Sequence, residues 1–169
     1  MQTDKKILVA YFSHSGNTRA LAEELQALTG GDLFEIKPVK PYPADYNAVV
    51  QQAKEELQAD LKPKLSAQLK NPEAYDTVFI CSPNWWNTVA GPVRTFLAGG
   101  LAGKTLVPCI THEGSGVGNS ARDIAKRCPD AAVLDGLAVR GSGVKNARGE
   151  VAAWLRKLNL LKQEAGKLS

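Results

Sequence analysis

An unbroken run of apolar residues near the start of the chain most constrains its fold. Every position from Ile7 to Phe12 is apolar, and a second, nearly continuous run spans Thr77 to Cys81. Strands show this pattern when both of their faces are buried, as in parallel sheets covered by helices on either side. The two runs therefore indicate a parallel sheet enclosed by helices.

Amphipathic helical segments alternate with the predicted strands. Leu21, Leu25 and Leu28 recur at helical spacing, and the glycine pair that follows them is typical of a helix end. Further strands are predicted over 33–36, 105–110 and 133–139, the last with a break at 135–136. Further helices are predicted over 46–61 and 151–161, and between them lie one helix that begins at 91 and another that ends at 127. Pro108 interrupts the fourth strand, where proline is unusual. This alternation predicts an α/β fold, a doubly wound parallel sheet with helices on both faces.

Length and composition fit one folded domain. The chain has 169 residues, of which 44% are hydrophobic and 22% charged. We predict a single domain over 1–169, with its core over about 5–158 and a loose tail over 162–169. The apolar run at 7–12 is shorter than the ~7–15 residues of a signal-peptide core, and far too short to span a membrane. Three cysteines without a CxxC pair are typical of a reducing compartment, so we expect a cytoplasmic protein.

Charge and residue usage exclude several function classes. The net charge is +4, most of it in the C-terminal half, but dense Lys/Arg runs with interleaved aromatics are missing. Nucleic-acid binding is therefore not expected. With two histidines and no paired cysteines, the chain offers little material for a metal site or a Ser/His hydrolase, and we predict neither.

Doubly wound sheets bind ligands beyond the carboxyl ends of their strands. The first such loop, Ser13–Thr18, alternates hydroxyl and amide side chains around one glycine, directly before a helix. A helix N-terminus offers free N–H groups, and the loop holds no lysine or arginine. Its composition fits a site that binds a phosphate group through neutral donors. Ordinary helix capping by Asn17 or Thr18 is the alternative.

Two further loops, 82–90 and 111–119, follow the third and fourth strands. The second loop, 82–90, holds two adjacent tryptophans, Trp85 and Trp86, in a polar segment. An indole face stacks well on a planar heteroaromatic ring, and the alternative is that one indole packs beneath the loop. In the third loop, 111–119, the glycines beside His112 and Glu113 permit close approach of the backbone to a ligand. That pair is either pH-sensitive or an ordinary set of surface polar groups.

Together the three loops carry a resemblance to a known family. The S-x-S-G-N-T segment at Ser13–Thr18 resembles the FMN phosphate loop of the flavodoxin family. Pro83–Asn87 and Thr111–Gly116 resemble the two flavin-ring loops of its short flavodoxin-like branch. The resemblance covers roughly Lys5 to Leu158. It implies a five-stranded sheet of order 2-1-3-4-5 and a noncovalently bound FMN.

The resemblance also implies a role for each matched residue. It assigns the phosphate to the side chains of Ser13, Ser15, Asn17 and Thr18, with the backbone of Gly16 close by. Trp85 or Trp86 would flank the isoalloxazine, and the backbone of the whole loop from Pro83 through Asn84 to Asn87 would contact its polar edge. The other side would be lined by Thr111, His112, Glu113, Gly114, Ser115 and Gly116, with His112 or Glu113 near the ring.

The implied activity is electron transfer through the flavin, and we assign no side chain as a catalytic acid or base. Two versions stay open. One is an electron carrier for a redox partner protein, and the other is an FMN-dependent NAD(P)H reductase of a small acceptor such as a quinone. The family's electron carriers are strongly acidic, whereas this chain is at +4. A phosphate-sensing receiver module is a third reading, but Ser13 and Ser82 stand where it requires aspartates.

Overall fold

The computed structural model describes residues 6–162, in which strands and helices alternate. The strands are β1 (Ile7–Tyr11), β2 (Asp32–Glu35), β3 (Thr77–Pro83), β4 (Thr105–His112), β5 (Ala132–Val133) and β6 (Leu137–Arg140). The α-helices are α1 (Asn17–Thr29), α2 (Tyr46–Gln58), α3 (Gly91–Leu97), α4 (Ser120–Arg127) and α5 (Arg148–Lys157). Short 3-10 helices cover Pro72–Ala74 and Gly141–Asn146. None of the described helices is both long and apolar enough to cross a membrane.

All strand pairs run parallel, and the sheet follows the order β2-β1-β3-β4-β5. The long strand β4 also pairs with β6, so β5 and β6 together occupy the fifth position. The order reverses next to β1, which lies between β2 and β3. The predicted doubly wound fold and its 2-1-3-4-5 order are confirmed.

The break in the fifth strand lies beside Pro108 of β4. The Leu134 N–H donates to the Leu106 carbonyl at 2.9 Å, so alternate residues of β4 turn their backbone polar groups towards the fifth strand. Pro108 falls on that side and has no N–H to offer. A Cβ on Gly136 would stand 2.8 Å from the Pro108 carbonyl oxygen, so the chain passes too close for a side chain there. The proline therefore leaves β4 continuous and interrupts its neighbour.

The hydrophobic core forms two layers, one on each face of the sheet. Alternate strand residues such as Val9 and Phe79 pack against α1 and α5. Their neighbours Leu8 and Ile80 pack against α3 and α4 on the opposite face. Burying a side chain of this size contributes about 1.5–3 kcal/mol. The continuous apolar runs reflect this burial on both faces.

The central strands are longer than predicted, and this positions the loops. β3 continues through Pro83 and β4 through His112, so Ser82 and Thr111 belong to strands rather than loops. The Ser82 hydroxyl accepts from the Ala90 N–H at 2.9 Å and donates to the Pro83 carbonyl at 2.8 Å. The start of α3 is thereby tied back to the end of β3.

Two chain segments differ from the predicted bounds. Helix α2 ends at Gln58 rather than near residue 61, because Asp60 takes a left-handed conformation with φ 47°. Residues 163–169 of the predicted loose tail, 162–169, lie outside the described part of the chain. Its first residue, Lys162, donates its N–H to the Leu28 carbonyl at 2.8 Å.

Candidate functional site

The loop between β1 and α1 turns sharply at Gly16. This residue is the N-cap of α1 and has φ 102°, a left-handed conformation that favours glycine. Its N–H donates to Ser13 Oγ at 3.1 Å, and α1 has no side-chain cap. Neither Asn17 nor Thr18 caps the helix, so capping does not explain them. The first turn of a helix leaves N–H groups without intrahelical acceptors, and here they face the loop.

A buried hydroxyl pair joins the first loop to the end of β4. Thr18 Oγ1 and Thr111 Oγ1 lie 2.7 Å apart, and the two residues are only 2% and 4% exposed. A hydroxyl donates one hydrogen bond and accepts up to two, so either threonine keeps capacity for another partner. The pair fixes the distance between the N-terminus of α1 and the end of β4.

The loop after β3 is a tight reverse turn. The Trp85 N–H donates to the Thr88 carbonyl at 2.8 Å, and the Thr88 N–H returns a bond to the Trp85 carbonyl. Trp86 and Asn87, the two central residues, have φ of 55° and 71°. Two consecutive positive φ angles define a type I′ turn, which is costly for a bulky residue such as tryptophan. The turn sends the two indoles in different directions.

The two tryptophans therefore have different environments. Trp85 is half-buried, and its ring meets Phe12, Tyr42 and His14 edge-on at centroid distances of 5.3, 5.1 and 6.0 Å. Trp86 is 46% exposed and donates its indole N–H to the Val50 carbonyl of α2 at 2.9 Å. One indole thus packs under the loop, and the other lies at the surface.

The loop after β4 is held by hydrogen bonds from three directions. The Gly114 N–H donates to His112 Nδ1 at 2.9 Å, and the Arg140 guanidinium donates to the Glu113 carbonyl at 3.1 Å. From the β3 side, Asn84 Nδ2 donates to both Ser115 Oγ and the Gly116 carbonyl at 3.0 Å. The other amide atom of this side chain, Asn84 Oδ1, is buried and accepts no hydrogen bond from the described residues.

A cavity of about 600 Å³ opens where the three loops meet. Predicted residues from every loop line it: Ser15, Asn17, Pro83, Asn84, Trp85, Trp86, Thr111, His112, Glu113 and Ser115. His14, which was not among the predicted site residues, lines it as well. The volume lies within the ~300–1,000 Å³ typical of small-molecule sites. Among the described residues that line it, Glu113 is the one carboxylate and lysine and arginine are absent.

The other predicted residues lie around this cavity rather than in its wall. Ser13 lines an adjoining cavity, and Thr18 is buried behind the loop. Asn87 accepts from the Asn119 N–H at 2.7 Å through its carbonyl. Gly16, Gly114 and Gly116 shape the loops with positive φ angles.

Helix α2 forms a wall of the cavity that the sequence did not reveal. Tyr46, Val49, Val50 and Ala53 all line it, and Tyr46 is 78% exposed at its mouth. In the sequence, the two valines and the alanine look like ordinary core positions of an amphipathic helix, so no local signal marks them. Tyr46, an aromatic residue three positions before Val49 and so on the same face of the helix, was the one clue in the sequence.

A second contribution comes from the end of β6. A Cβ on Gly141 would collide with the side chains of Glu113 and Asn17, so these two pack directly on the Gly141 backbone. Arg140, the preceding residue, holds the third loop through the hydrogen bond that it donates to the Glu113 carbonyl. Glycine at 141 therefore lets the first and third loops approach each other.

An adjoining cavity of about 660 Å³ lies on the far side of His14. It shares His14, Ser15 and Tyr46 with the first cavity, and its remaining wall comes from Phe12 and Ser13 after β1 and from the end of β2 and the segment that follows it, including Lys37 and Tyr42. His14 Nε2 lies 2.9 Å from the Pro43 carbonyl, which fixes the imidazole between the two spaces. The two cavities thus lie side by side, with His14, Ser15 and Tyr46 between them.

Comparisons with known proteins agree with this architecture. The chain is similar to a proposed flavoprotein of Bacteroides eggerthii, with 35% identity, coverage of 92% of this chain and 99% of the other, and a TM-score of 0.78. A proposed flavoprotein of Bacteroides uniformis has 29% identity, coverage of 91% and 99%, and a TM-score of 0.81. A Lactobacillus acidophilus flavoprotein in complex with FMN has 23% identity, coverage of 85% and 98%, and a TM-score of 0.71.

A search of curated proteins gave no match. The flavodoxin family model, however, matches residues 6–158, which is most of the chain. The matched region includes every strand and helix of the sheet and all three loops around the cavity. The chain therefore belongs to the flavodoxin family.

Proposed function

We propose that the chain binds FMN noncovalently in the cavity formed by the three loops and serves as an electron-transfer protein. One observation carries this proposal: a single cavity of about 600 Å³ gathers side chains from the ends of β1, β3 and β4. A likeness to a flavoprotein that holds FMN supports the same ligand. The residues of the cavity also suit both ends of this molecule.

The phosphate end of FMN fits the first loop. Ser15 and Asn17 line the cavity at the N-terminus of α1, where backbone N–H groups and the positive end of the helix dipole favour an anion. Charge-assisted hydrogen bonds from neutral donors are about twice as strong as neutral ones, so lysine or arginine is not required. Thr18 lies behind the cavity wall, so its hydroxyl would act on the site by holding Thr111, which lines the cavity.

The ring end of FMN fits the second and third loops. Asn84 Oδ1 is a buried acceptor that receives no hydrogen bond from the described residues, and the flavin ring carries an N–H group of the kind that would satisfy it. Trp86 lies at the mouth of the cavity and offers an indole face to a planar ring. When bound, the flavin supplies the redox chemistry, and the side chains of this chain hold, orient and shield it from water.

A second candidate is an FMN-dependent reductase that oxidises NAD(P)H and reduces a small acceptor such as a quinone. The adjoining cavity of about 660 Å³ favours it, because a second ligand there would share His14 and Tyr46 with the flavin site. An electron carrier instead docks a partner protein over the exposed flavin edge. The net charge of +4 favours an acidic face on such a partner.

The deciding experiment mixes the FMN-loaded protein with NADH or NADPH in the absence of oxygen. A carrier keeps its flavin absorbance under these conditions and loses it only when a flavoprotein reductase is added. Bleaching by the nicotinamide alone would instead establish the reductase. A purified protein that neither retains flavin nor takes up added FMN would overturn both versions.

A further inference from the structure

A largely buried polar cluster lies between α2, α3 and the segment after β2. Its Tyr42 lines the adjoining cavity, but none of its groups lines the cavity of about 600 Å³. The Tyr42 hydroxyl donates to Glu56 Oε1 at 2.5 Å, and Gln52 donates to the other oxygen of Glu56 at 3.0 Å. Glu56 is 8% exposed and Arg94 only 3%. Charged side chains are almost never this buried unless their partners stabilise them.

Arg94 is held in place by the backbone around it. Its guanidinium donates to the Val89 carbonyl at 3.4 Å and the Leu61 carbonyl at 3.2 Å, and its Nε–H is buried and donates to no acceptor among the described residues. Asp60 Oδ1 lies 4.0 Å from that Nε. Burial lowers the pKa of Arg94, and burial with the Glu56 hydrogen bond raises the pKa of Tyr42. Maintaining this cluster therefore carries a cost in desolvation.

The three groups converge on a glycine at the start of α3. A Cβ on Gly91 would stand 2.8 Å from Glu56 Oε1, 2.9 Å from the Tyr42 hydroxyl and 3.3 Å from Arg94 Nη2. Real Cβ atoms essentially never come that close to other atoms, so any larger residue at 91 would push the cluster apart. The overlap arises from close approach of the three side-chain ends and not from backbone strain, since α3 keeps ordinary helical geometry.

The cluster contacts the flavin site through one aromatic ring. Tyr42 meets Trp85 edge-on at a centroid distance of 5.1 Å and Phe12 at 5.8 Å. Trp85 is part of the cavity wall, and so are Val49 and Ala53 on the same helix as Glu56. A shift of the Tyr42 ring would therefore be transmitted to Trp85 and to the α2 wall together.

We infer that Tyr42, Glu56 and Arg94 form a positioning cluster, which fixes the Trp85 ring and helix α2 and so sets the width of the FMN cavity. The inference rests on the proposed function, because it assigns the cluster to FMN binding. It gives a reason for the burial of the Glu56 carboxylate and the Arg94 guanidinium, neither of which lines the cavity of about 600 Å³. A hydrophobic contact at this place would pack α2 without fixing its register against Trp85.

The test uses Tyr42→Phe, which removes the hydroxyl and leaves the ring. Because the ring stays, a change in the Trp85 indole N–H signal of the apoprotein in a ¹H–¹⁵N spectrum reports a movement rather than a lost aromatic neighbour. The three indole signals are assigned with Trp85→Phe, Trp86→Phe and Trp154→Phe. Gly91→Ala is a second variant, which displaces the cluster without removing any of its groups.

Two matched controls are available in the chain. Tyr75→Phe removes another tyrosine–carboxylate bond, from Tyr75 to Asp32 at 2.7 Å, at the opposite ends of the strands. Gly149→Ala adds a Cβ in α5, where nothing lies within 4 Å. Both controls match the chemical change at a distance from the cavity.

The expected result is a shifted Trp85 signal in Tyr42→Phe and Gly91→Ala, with FMN affinity lowered on the order of threefold to tenfold, as for residues that act through packed neighbours. Both controls should keep the wild-type signal and affinity. An unmoved Trp85 signal, an unchanged affinity, or equal effects in the controls would overturn the inference. A wild-type protein that binds no FMN would refute the proposed function, whereas the apoprotein signal would still show whether the cluster fixes Trp85.

Discussion

The hydroxyl bond between Thr18 and Thr111 gives a quantitative prediction about how the first and third loops are joined. Both residues are nearly fully buried, and their hydroxyl oxygens lie 2.7 Å apart. Replacing either threonine by valine keeps the shape of the side chain and removes the hydroxyl. Each single variant therefore leaves one buried hydroxyl without its partner.

The expected magnitude follows from that orphaned group. A buried polar atom without a hydrogen bond costs about 1–3 kcal/mol, whereas replacing both partners by apolar groups of the same shape is nearly neutral. Thr18→Val and Thr111→Val should therefore each lower the free energy of unfolding by about 1–3 kcal/mol. The double variant should lose no more than either single one, which corresponds to a coupling of at least about 1–3 kcal/mol.

Urea unfolding of the apoprotein measures these differences. With a slope of ~2 kcal/mol/M, a loss of about 2 kcal/mol lowers the midpoint by about 1 M. Unchanged slopes would show that the three variants still fold to the same compact state. Strictly additive losses in the double variant, or a single variant as stable as the wild type, would refute the reasoning.

Three further predictions concern the site and the core. Ser15→Ala should weaken FMN binding by about 1–3 kcal/mol in a fluorescence titration, since a donor to a charged group is lost, and equal affinity would place the phosphate elsewhere. Gly141→Ala should also raise the Kd for FMN, because a Cβ there collides with the Asn17 side chain; an unaltered Kd would argue against a role for Asn17. Burial raises the pKa of the Cys109 and Cys128 thiols, so a thiol reagent at about pH 8 should label neither until denaturant is added, and labelling of the native protein would contradict their burial.

The sheet was predictable because burial on both faces leaves a direct mark on the sequence. The apolar runs at 7–12 and 77–81 marked the two central strands, and the structure confirms both. The course of the fifth strand was harder to foresee. Pro108 lacks the N–H that would face the fifth strand, so it interrupts that strand and not its own. Only the strand pairing shows which neighbour is affected.

The site was predictable where its residues stand in loops at strand ends. Whether Trp85 or Trp86 packs inward could not be read from the sequence, because it depends on a type I′ turn with positive φ at Trp86. The α2 wall stayed hidden for a different reason. Val49 and Ala53 line a cavity with the same side chains that would fill a core, so their pattern is the same in both cases.

The charged residues near the cavity differ in sign and number from those that line it. The chain is basic overall, yet the described residues lining the cavity include no lysine or arginine. Lys54 lies over the exposed Trp86 ring, with Nζ 5.5 Å from the ring centroid, and Arg140 braces the third loop. Basic residues thus lie close to the cavity, while its described lining offers neutral donors.

The central claim is that neutral donors at the start of α1 bind the phosphate of FMN in this cavity. Calorimetric titration of the apoprotein with FMN and with riboflavin, which lacks the phosphate, tests it most directly. We expect one FMN to bind per chain and riboflavin to bind at least tenfold more weakly, which corresponds to about 1.4 kcal/mol for the phosphate contacts. Equal affinities for the two flavins, or no heat with FMN, would contradict the account.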